Sequence, residues 1–89
     1  MPSVKFEERL PLGVRFTIRA DEIDWFGTVL NEALLVLPGA DFLEAFNANK
    51  PKLAEIAVAK ISIGETFDGE VMISLADLRR PDLQRKPVG

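Results

Sequence analysis

Most of the side chains that carry out enzyme chemistry are missing from this sequence. It contains no histidine, cysteine or tyrosine, so the commonest general base, the thiolate nucleophile and the phenolic acid are absent. Carboxylates remain, and a catalytic pair of them needs two neighbouring acids in different environments. Glu8 is the one acid that the strand pattern below places on an apolar face. We therefore expect no enzyme activity, and a small-molecule or carboxylate site near Glu8 is only the third hypothesis.

Two short acidic segments contain oxygen atoms of the kind that bind cations. They are Asp21-Glu22-Ile23-Asp24 and Asp68-Gly69-Glu70. Calcium loops need more ligands and a glycine at a fixed spacing, whereas acids at a helix start or in a turn are ordinary. The glycines form neither a phosphate loop nor a dinucleotide fingerprint. We predict no metal site and no cofactor.

Basic side chains are concentrated at the two ends of the chain. Residues 1–20 carry four basic and two acidic side chains, residues 21–78 three and eleven, and residues 79–89 four and one. The resulting basic patch would contain Lys5, Arg9, Arg15, Arg19, Arg79, Arg80, Arg85 and Lys86. This patch supports an alternative function, that of a nucleic-acid-associated protein. However, no exposed aromatic side chains are predicted beside it and the net charge is −3, so nucleic acid is not the expected partner.

A β-hairpin is predicted at the start of the chain. Residues 4–10 and 14–18 alternate between apolar and polar side chains, as half-buried strands do. Between them, Pro11-Leu12-Gly13 predicts a three-residue loop with its glycine in the left-handed conformation. That register places Glu8 opposite Phe16 on the apolar face.

A second hairpin is predicted around Phe67-Asp68-Gly69. A two-residue Asp68-Gly69 turn would leave both faces of this hairpin half apolar. A three-residue loop instead pairs Ile63 with Ile73 and collects the apolar residues on one face, so we favour it. Met72 is then the one large apolar side chain on the polar face.

A central helix is predicted from Asp21 to Leu37. Asp21 is a suitable cap, apolar residues follow at helical spacing, and Pro38-Gly39 ends the pattern. Gly27 costs about 1 kcal/mol inside a helix. Two alternatives therefore remain open: a helix shortened to residues 28–37 with Thr28 as its cap, or a strand in part of this segment.

These elements predict an α+β fold in two layers. Asp41 and Pro51 begin two further short helices, which gives the order β-β-α-α-α-β-β, with two antiparallel hairpins packed on the central helix. Residues 1–78 form a single domain, and residues 79–89 form a basic, proline-containing flexible tail. Whether the four strands form one sheet is left open.

The predicted central helix has more apolar surface than one sheet face can cover. Its excess surface comprises Trp25, Val29, Leu35 and Val36, and tryptophan is frequent at interface hot spots. We therefore predict a non-enzymatic protein-interaction module or small accessory subunit that binds a protein partner or itself. The first nine residues lack the apolar run of a signal peptide, and no stretch reaches the roughly 18 apolar residues of a membrane helix. The expected location is the cytoplasm, with no membrane contact.

Overall fold

A computed structural model of the chain describes residues 3–84, which contain four strands and five helices. The strands are β1 (Val4–Arg9), β2 (Gly13–Ala20), β3 (Ile23–Leu30) and β4 (Glu70–Ile73). The helices are α1 (Asn31–Val36), α2 (Phe42–Ala48), α3 (Lys50–Ser62), α4 (Leu75–Leu78) and α5 (Pro81–Gln84). The α+β class predicted from the sequence is confirmed.

The four strands form one sheet in the order β1-β2-β3-β4. The first three strands form an antiparallel meander. After α1, α2 and α3, the chain returns to add β4 parallel to β3. The sheet is therefore mixed, and the strand distant in sequence lies at one of its edges.

One face of this sheet is covered by helices and holds the core. Val14, Phe16 and Ile18 of β2 are buried on this face, together with inward side chains of α2 and α3. Phe46 of α2 packs against the ring of Phe16, with 6.3 Å between centroids. Within the described range no helix lies over the opposite face, where side chains are exposed or half-buried.

The starts of α2 and α3 follow the sequence signals. The carboxylate of Asp41 accepts a hydrogen bond of 2.8 Å from the backbone N–H of Glu44, as an N-cap should. Pro51 lies in the first turn of α3, where its missing N–H has no helical partner to lose. Both helix starts are confirmed.

The first hairpin forms, but the predicted three-residue loop is wrong. Leu10 and Gly13 exchange both backbone hydrogen bonds, at 2.7 and 3.2 Å, across a two-residue turn. The pairing between β1 and β2 shifts at Glu7, so that Glu8 lies opposite Arg15 rather than Phe16. A Cβ atom on Gly13 would lie 2.0 Å from the carbonyl oxygen of Val29, so the glycine accommodates β3 and not a left-handed turn.

The predicted helix from Asp21 to Leu37 is wrong in its first half. Residues Ile23–Leu30 form β3 and pair with β2 along their whole length, and helix begins only at Asn31. Asp21 and Glu22 adopt φ angles of 53° and 63°, the left-handed conformation that a tight two-residue hairpin turn requires. Asp21 is therefore a turn residue and not a helix cap.

The second predicted hairpin is also corrected. Ile61 belongs to α3 and Ile63 is the residue after its end, so no strand precedes the turn and Ile63 does not pair with Ile73. The two-residue Asp68-Gly69 turn, which the sequence pattern disfavoured, does form: Phe67 and Glu70 exchange backbone hydrogen bonds of 2.8 and 2.9 Å. The strand after it, β4, pairs with β3 instead.

Packed structure continues past the predicted domain boundary at residue 78. Helix α5 spans Pro81–Gln84, and its Leu83 is buried in the core. The first part of the segment predicted as a flexible tail therefore packs on the domain. Residues 85–89 lie outside the described residues.

A buried ion pair fastens α3 to the end of β4 and to α4. The ammonium of Lys60 donates 2.7 Å hydrogen bonds to the Asp77 carboxylate and to the Met72 carbonyl oxygen. The same carboxylate oxygen accepts from the N–H of Ser74 at 2.9 Å and from its hydroxyl at 3.1 Å. Burial of Asp77 opposes its ionisation, but the hydrogen bonds from Lys60 and Ser74 outweigh burial and hold its pKa below the usual value.

Candidate protein-interaction surface

The sheet face that the helices leave uncovered is the candidate site, and we call it the open face. The strand register arranges its side chains in rows that run across the strands. The Phe26 row contains Lys5, Thr17, Phe26 and Glu70; the Thr28 row contains Glu8, Arg15, Thr28 and Met72; an outer row contains Arg19 and Asp24. Alternation along each strand is what places all of these on one side.

The apolar part of the open face lies on β3 and β4. Phe26 is 46% exposed and Met72 is 51% exposed, on neighbouring strands and in adjacent rows. Phe67, which is largely exposed, pairs with Glu70 and so extends the Phe26 row beyond β4. Apolar side chains that are grouped on an exposed face and rimmed by polar residues are a feature of contact surfaces.

Charged side chains surround this apolar part and are partly paired with each other. The guanidinium of Arg15 lies 4.6 Å from the centre of the Phe26 ring and 3.5 Å from the carboxylate of Glu70. Arg19 and Asp24 form an ion pair of 3.1 Å. Glu7 accepts a 3.2 Å hydrogen bond from the hydroxyl of Thr17. The open face is thus mixed in charge, with an apolar centre on one half.

The two edges of the sheet are poorly suited to the addition of another strand. On the outer side of β4, Phe67 bonds the backbone of Glu70, and the Lys60 ammonium bonds the carbonyl oxygen of Met72. On β1, the pairing is irregular at Glu7, and Lys5, Glu7, Glu8 and Arg9 all carry charge. Bulges and charges of this kind protect edge strands. A partner is therefore better accommodated on the open face.

The four contact residues predicted from the sequence do not form one surface. Trp25 is half-buried and Val29 is fully buried, both on the helix-covered face of β3. Leu35 and Val36 are exposed, but they lie on α1. The helix that would have joined these residues does not exist, because its first half is a strand.

Sequence reasoning missed the role of Phe26 and underused that of Met72. A helix from Asp21 to Leu37 would place Phe26 at helical spacing with its core-facing apolar residues, whereas in β3 it points away from the core. Met72 was already the exception on an otherwise polar strand face, and it is half exposed as that pattern predicted. A large apolar residue on the polar side of a strand was the available signal.

The predicted basic patch is divided among different parts of the molecule. Lys5, Arg15 and Arg19 lie on the open face, whereas Arg9 lies on the other side of the sheet, 4.6 Å from the centre of the Phe42 ring. Arg9 also donates to the carbonyl oxygens of Leu10 and Gly13 at 2.5 and 2.7 Å.

The C-terminal members of the patch join other partners. Arg80 forms ion pairs with Glu65 at 2.5 Å and with Asp82 at 2.8 Å. The hydrogen bonds in these pairs raise the pKa of Arg80 and lower the pKa values of Glu65 and Asp82. Arg79 is exposed, and Arg85 and Lys86 lie outside the described residues. The positive charge of Arg80 is therefore largely balanced.

The environment proposed for an acidic site near Glu8 does not form. The shift at Glu7 turns the Glu8 side chain onto the open face, where it is exposed opposite Arg15. A shallow depression of about 410 Å³ lies on the other side of the sheet and is lined by Arg9, Asp41, Phe42 and Leu43. Its two charged groups are occupied, Arg9 by backbone carbonyls and Asp41 by the start of α2.

The described residues contain neither a cluster of metal-binding side chains nor a helix that could cross a membrane. Between residues 3 and 84, no three side chains of the metal-binding types lie close enough together to hold an ion. No helix in this range has both the length and the apolar composition needed to span a lipid bilayer.

Comparison with known proteins finds no significant match to a protein-family model, a curated protein or a solved structure.

Proposed function

We propose that this chain is a non-catalytic protein-interaction module that self-associates through its open face. The observation that carries the proposal is the half-exposed pair Phe26 and Met72 on a sheet face that no helix covers between residues 3 and 84. Burial of apolar surface stabilises an interface by about 25 cal/mol per Å² before the costs of association are subtracted. A flat sheet face is well suited to stacking on another one, as in β-sandwiches.

A second copy of the chain is the partner that the charges favour. The open face carries three basic residues (Lys5, Arg15, Arg19) and three acidic residues (Glu8, Asp24, Glu70), and Glu7 reaches it from the irregular position in β1. This balance gives no strong attraction for a highly charged partner such as a nucleic acid. Two identical faces of mixed charge can instead pair opposite charges with each other.

The size of the open face predicts weak, concentration-dependent pairing. Four strands spaced by about 4.8 Å, with roughly six residues at 3.3 Å each, cover about 400 Å². A standard stable interface buries about 800 Å² on each partner. We therefore expect a monomer–dimer equilibrium and not an obligate dimer.

The decisive substitution is Phe26→Ser. Because it removes the largest apolar side chain of the open face from both copies, we expect the dimer dissociation constant to rise at least about tenfold. Sedimentation equilibrium across a wide range of protein concentrations measures this constant. Circular dichroism and the thermal midpoint verify that the variant is folded.

Leu43→Ser is the matched control. The exposed fraction of Leu43, 42%, is similar to that of Phe26. Leu43 lies on α2 in the helical layer, so its substitution should leave the dissociation constant unchanged. Leu35→Ser tests the surface on α1 that was predicted from the sequence. A wild-type chain that stays monomeric at every concentration would refute the proposal. Dissociation by Leu35→Ser but not by Phe26→Ser would move the interface to α1.

A further inference from the structure

We infer that a second surface, formed by α1 and the tip of the first hairpin, binds a basic amphipathic helix of another protein. We call it the α1 surface and define it by Leu12, Glu32, Leu35 and Val36. None of these residues belongs to the open face. The inference therefore goes beyond self-association and gives the chain a second partner of a different kind.

The α1 surface carries large apolar side chains that are well exposed. Leu12 and Leu35 are each 70% exposed, and Val36 is 54% exposed. Within α1, Ala33 and Leu34 point into the core, so Leu35 and Val36 lie on the outward side of the helix. Large apolar side chains grouped on an exposed surface mark a contact site.

Two hydrogen bonds fix the hairpin tip against the start of α1. The backbone N–H of Asn31 donates to the carbonyl oxygen of Leu12 at 2.9 Å, and the side-chain amide of Asn31 donates to that of Pro11 at 2.8 Å. Leu35 is one helical turn after Asn31, so it lies on the side of α1 that meets the hairpin tip. The apolar side chains are thus positioned before a partner arrives, which lowers the entropic cost of binding.

The charge around this apolar group is acidic, unlike the balanced charge of the open face. Residues 30–49, which contain α1 and α2, include three acidic side chains and no basic one. The three acids are Glu32, Asp41 and Glu44, and all are exposed. Glu32 lies between Leu35 and Val36 on the outward side of α1, since these residues follow it at positions i+3 and i+4. A partner that covers this surface therefore needs basic groups beside its apolar contact.

Acidic charge disfavours the other candidate partners. Two copies paired through their α1 surfaces would bring acidic side chains together, because each copy contributes the same surface. Nucleic acids and anionic membranes are repelled by the same charge. Arg9, which precedes the hairpin tip, donates to the carbonyl oxygens of Leu10 and Gly13 and lies over the ring of Phe42. Its guanidinium is therefore held by other groups.

A helix suits this surface better than an extended peptide does. An extended peptide binds by adding a strand to a sheet edge, and the edges at β1 and β4 are irregular or occupied. A helix instead binds through apolar side chains repeated at helical spacing, and it packs on another helix such as α1. Lysine or arginine residues beside its apolar stripe would lie near Glu32.

The test uses a labelled synthetic peptide of leucine and lysine whose leucines repeat at helical spacing. We expect the full chain to bind it, and Leu35→Ser to raise the dissociation constant at least about tenfold, because that change removes the most exposed apolar side chain of α1. Fluorescence anisotropy measures the constant at a peptide concentration too low for the peptide to self-associate. Circular dichroism verifies that the variant is folded.

Matched controls separate the apolar contact from the charge. Ile63→Ser removes an apolar side chain that is 54% exposed just after α3, and it should leave the dissociation constant unchanged. Glu32→Gln keeps an oxygen that can accept from the N–H of Leu75, so it removes charge without breaking that bond. It should raise the constant about threefold and weaken its dependence on salt. Glu55→Gln makes the same charge change on α3 and should have no effect.

Changes in the peptide and in the protein can each overturn the inference. Equal binding of a peptide with glutamate in place of every lysine would show that acidic charge does not select the partner. Equal binding of a peptide with the same composition in scrambled order would show that no helix is recognised. Unchanged binding by Leu35→Ser would show that the peptide does not bind the α1 surface.

Phe26→Ser distinguishes this inference from the proposed self-association. It should leave peptide binding unchanged, and loss of binding in Phe26→Ser but not in Leu35→Ser would place the peptide on the open face and overturn the inference. A chain that stays monomeric but binds the peptide through Leu35 would refute self-association and support the inference. Dissociation of the dimer by Leu35→Ser would make a second copy the occupant of the α1 surface and overturn the inference.

Discussion

Replacing Lys60 with methionine is expected to lower the free energy of unfolding by about 3 to 5 kcal/mol, because it leaves a buried carboxylate without its cation. The Asp77 side chain is buried, and the Lys60 ammonium is 2.7 Å from it. Methionine also removes the donor that bonds the carbonyl oxygen of Met72, so the edge of β4 loses its tie to α3. Urea denaturation followed by circular dichroism measures the change.

Lys52→Met is the control for this substitution. Lys52 is exposed on the same helix, so its replacement should change the free energy of unfolding by less than about 0.5 kcal/mol. Equal losses in the two variants would mean that the Lys60–Asp77 pair does not stabilise the fold.

The destabilisation by Lys60→Met should also depend on pH. In the folded wild type the pKa of Asp77 is lowered, so its ionised form contributes stability that is present above the unfolded-state pKa and is lost as pH falls through the folded-state value. Without Lys60, the buried carboxylate is better accommodated when protonated. The gap between wild type and variant should therefore be largest near neutral pH and shrink in acid.

Local signals predicted the elements that depend on local chemistry. Asp41 and Pro51 mark helix starts because capping and the missing proline N–H act within one turn. The first hairpin was found from its alternation, and its turn lies between Leu10 and Gly13. The α+β class follows from such signals taken together.

The sequence-based predictions were wrong where a residue is required by packing against a segment that is distant in sequence. A side chain at Gly13 would collide with the backbone of β3. A side chain at Gly27 would collide with Phe16 and Val71, which fill the space beside it. Trp25, Gly27 and Val29 share the core-facing side of β3, and the glycine breaks the alternation of apolar and polar residues between the other two. The apolar residues of this segment therefore fitted the spacing of a helix better than that of a strand. The register shift at Glu7 had one sequence signal, because strict alternation placed the charged Glu8 on the apolar face.

The interaction surface was only partly accessible from the sequence for the same reason. The expectation of surplus apolar surface remains a hypothesis, and the location of that surface depends on β3 being a strand. Because β3 is a strand, Phe26 lies on the open face and not in the core. There it is a neighbour of Met72, which is distant in sequence but lies on the adjacent strand. The pairing of Lys60 with Asp77 was equally hidden, because each belongs to a different element.

The substitution Gly27→Ala distinguishes a strand from a helix by the sign of its effect. In an exposed helix, alanine in place of glycine would stabilise the chain by about 1 kcal/mol. In β3, the added Cβ would lie 2.4 Å from a ring carbon of Phe16 and 2.7 Å from a methyl carbon of Val71. Both side chains are buried and have little room to move, so we expect destabilisation by about 2 to 3 kcal/mol in urea denaturation.

A second substitution identifies the cause of that loss. Phe16→Leu makes room beside Gly27 and by itself destabilises the core. If the clash is the cause, the double variant Phe16→Leu/Gly27→Ala should lose less stability than the sum of the two single variants, because the smaller side chain accepts the new methyl group. Strict additivity would show that Gly27 does not pack against Phe16, and a gain in stability from Gly27→Ala alone would contradict the strand assignment. Since the open face exists only if β3 is a strand, this pair of variants also tests the structural basis of the proposed interface.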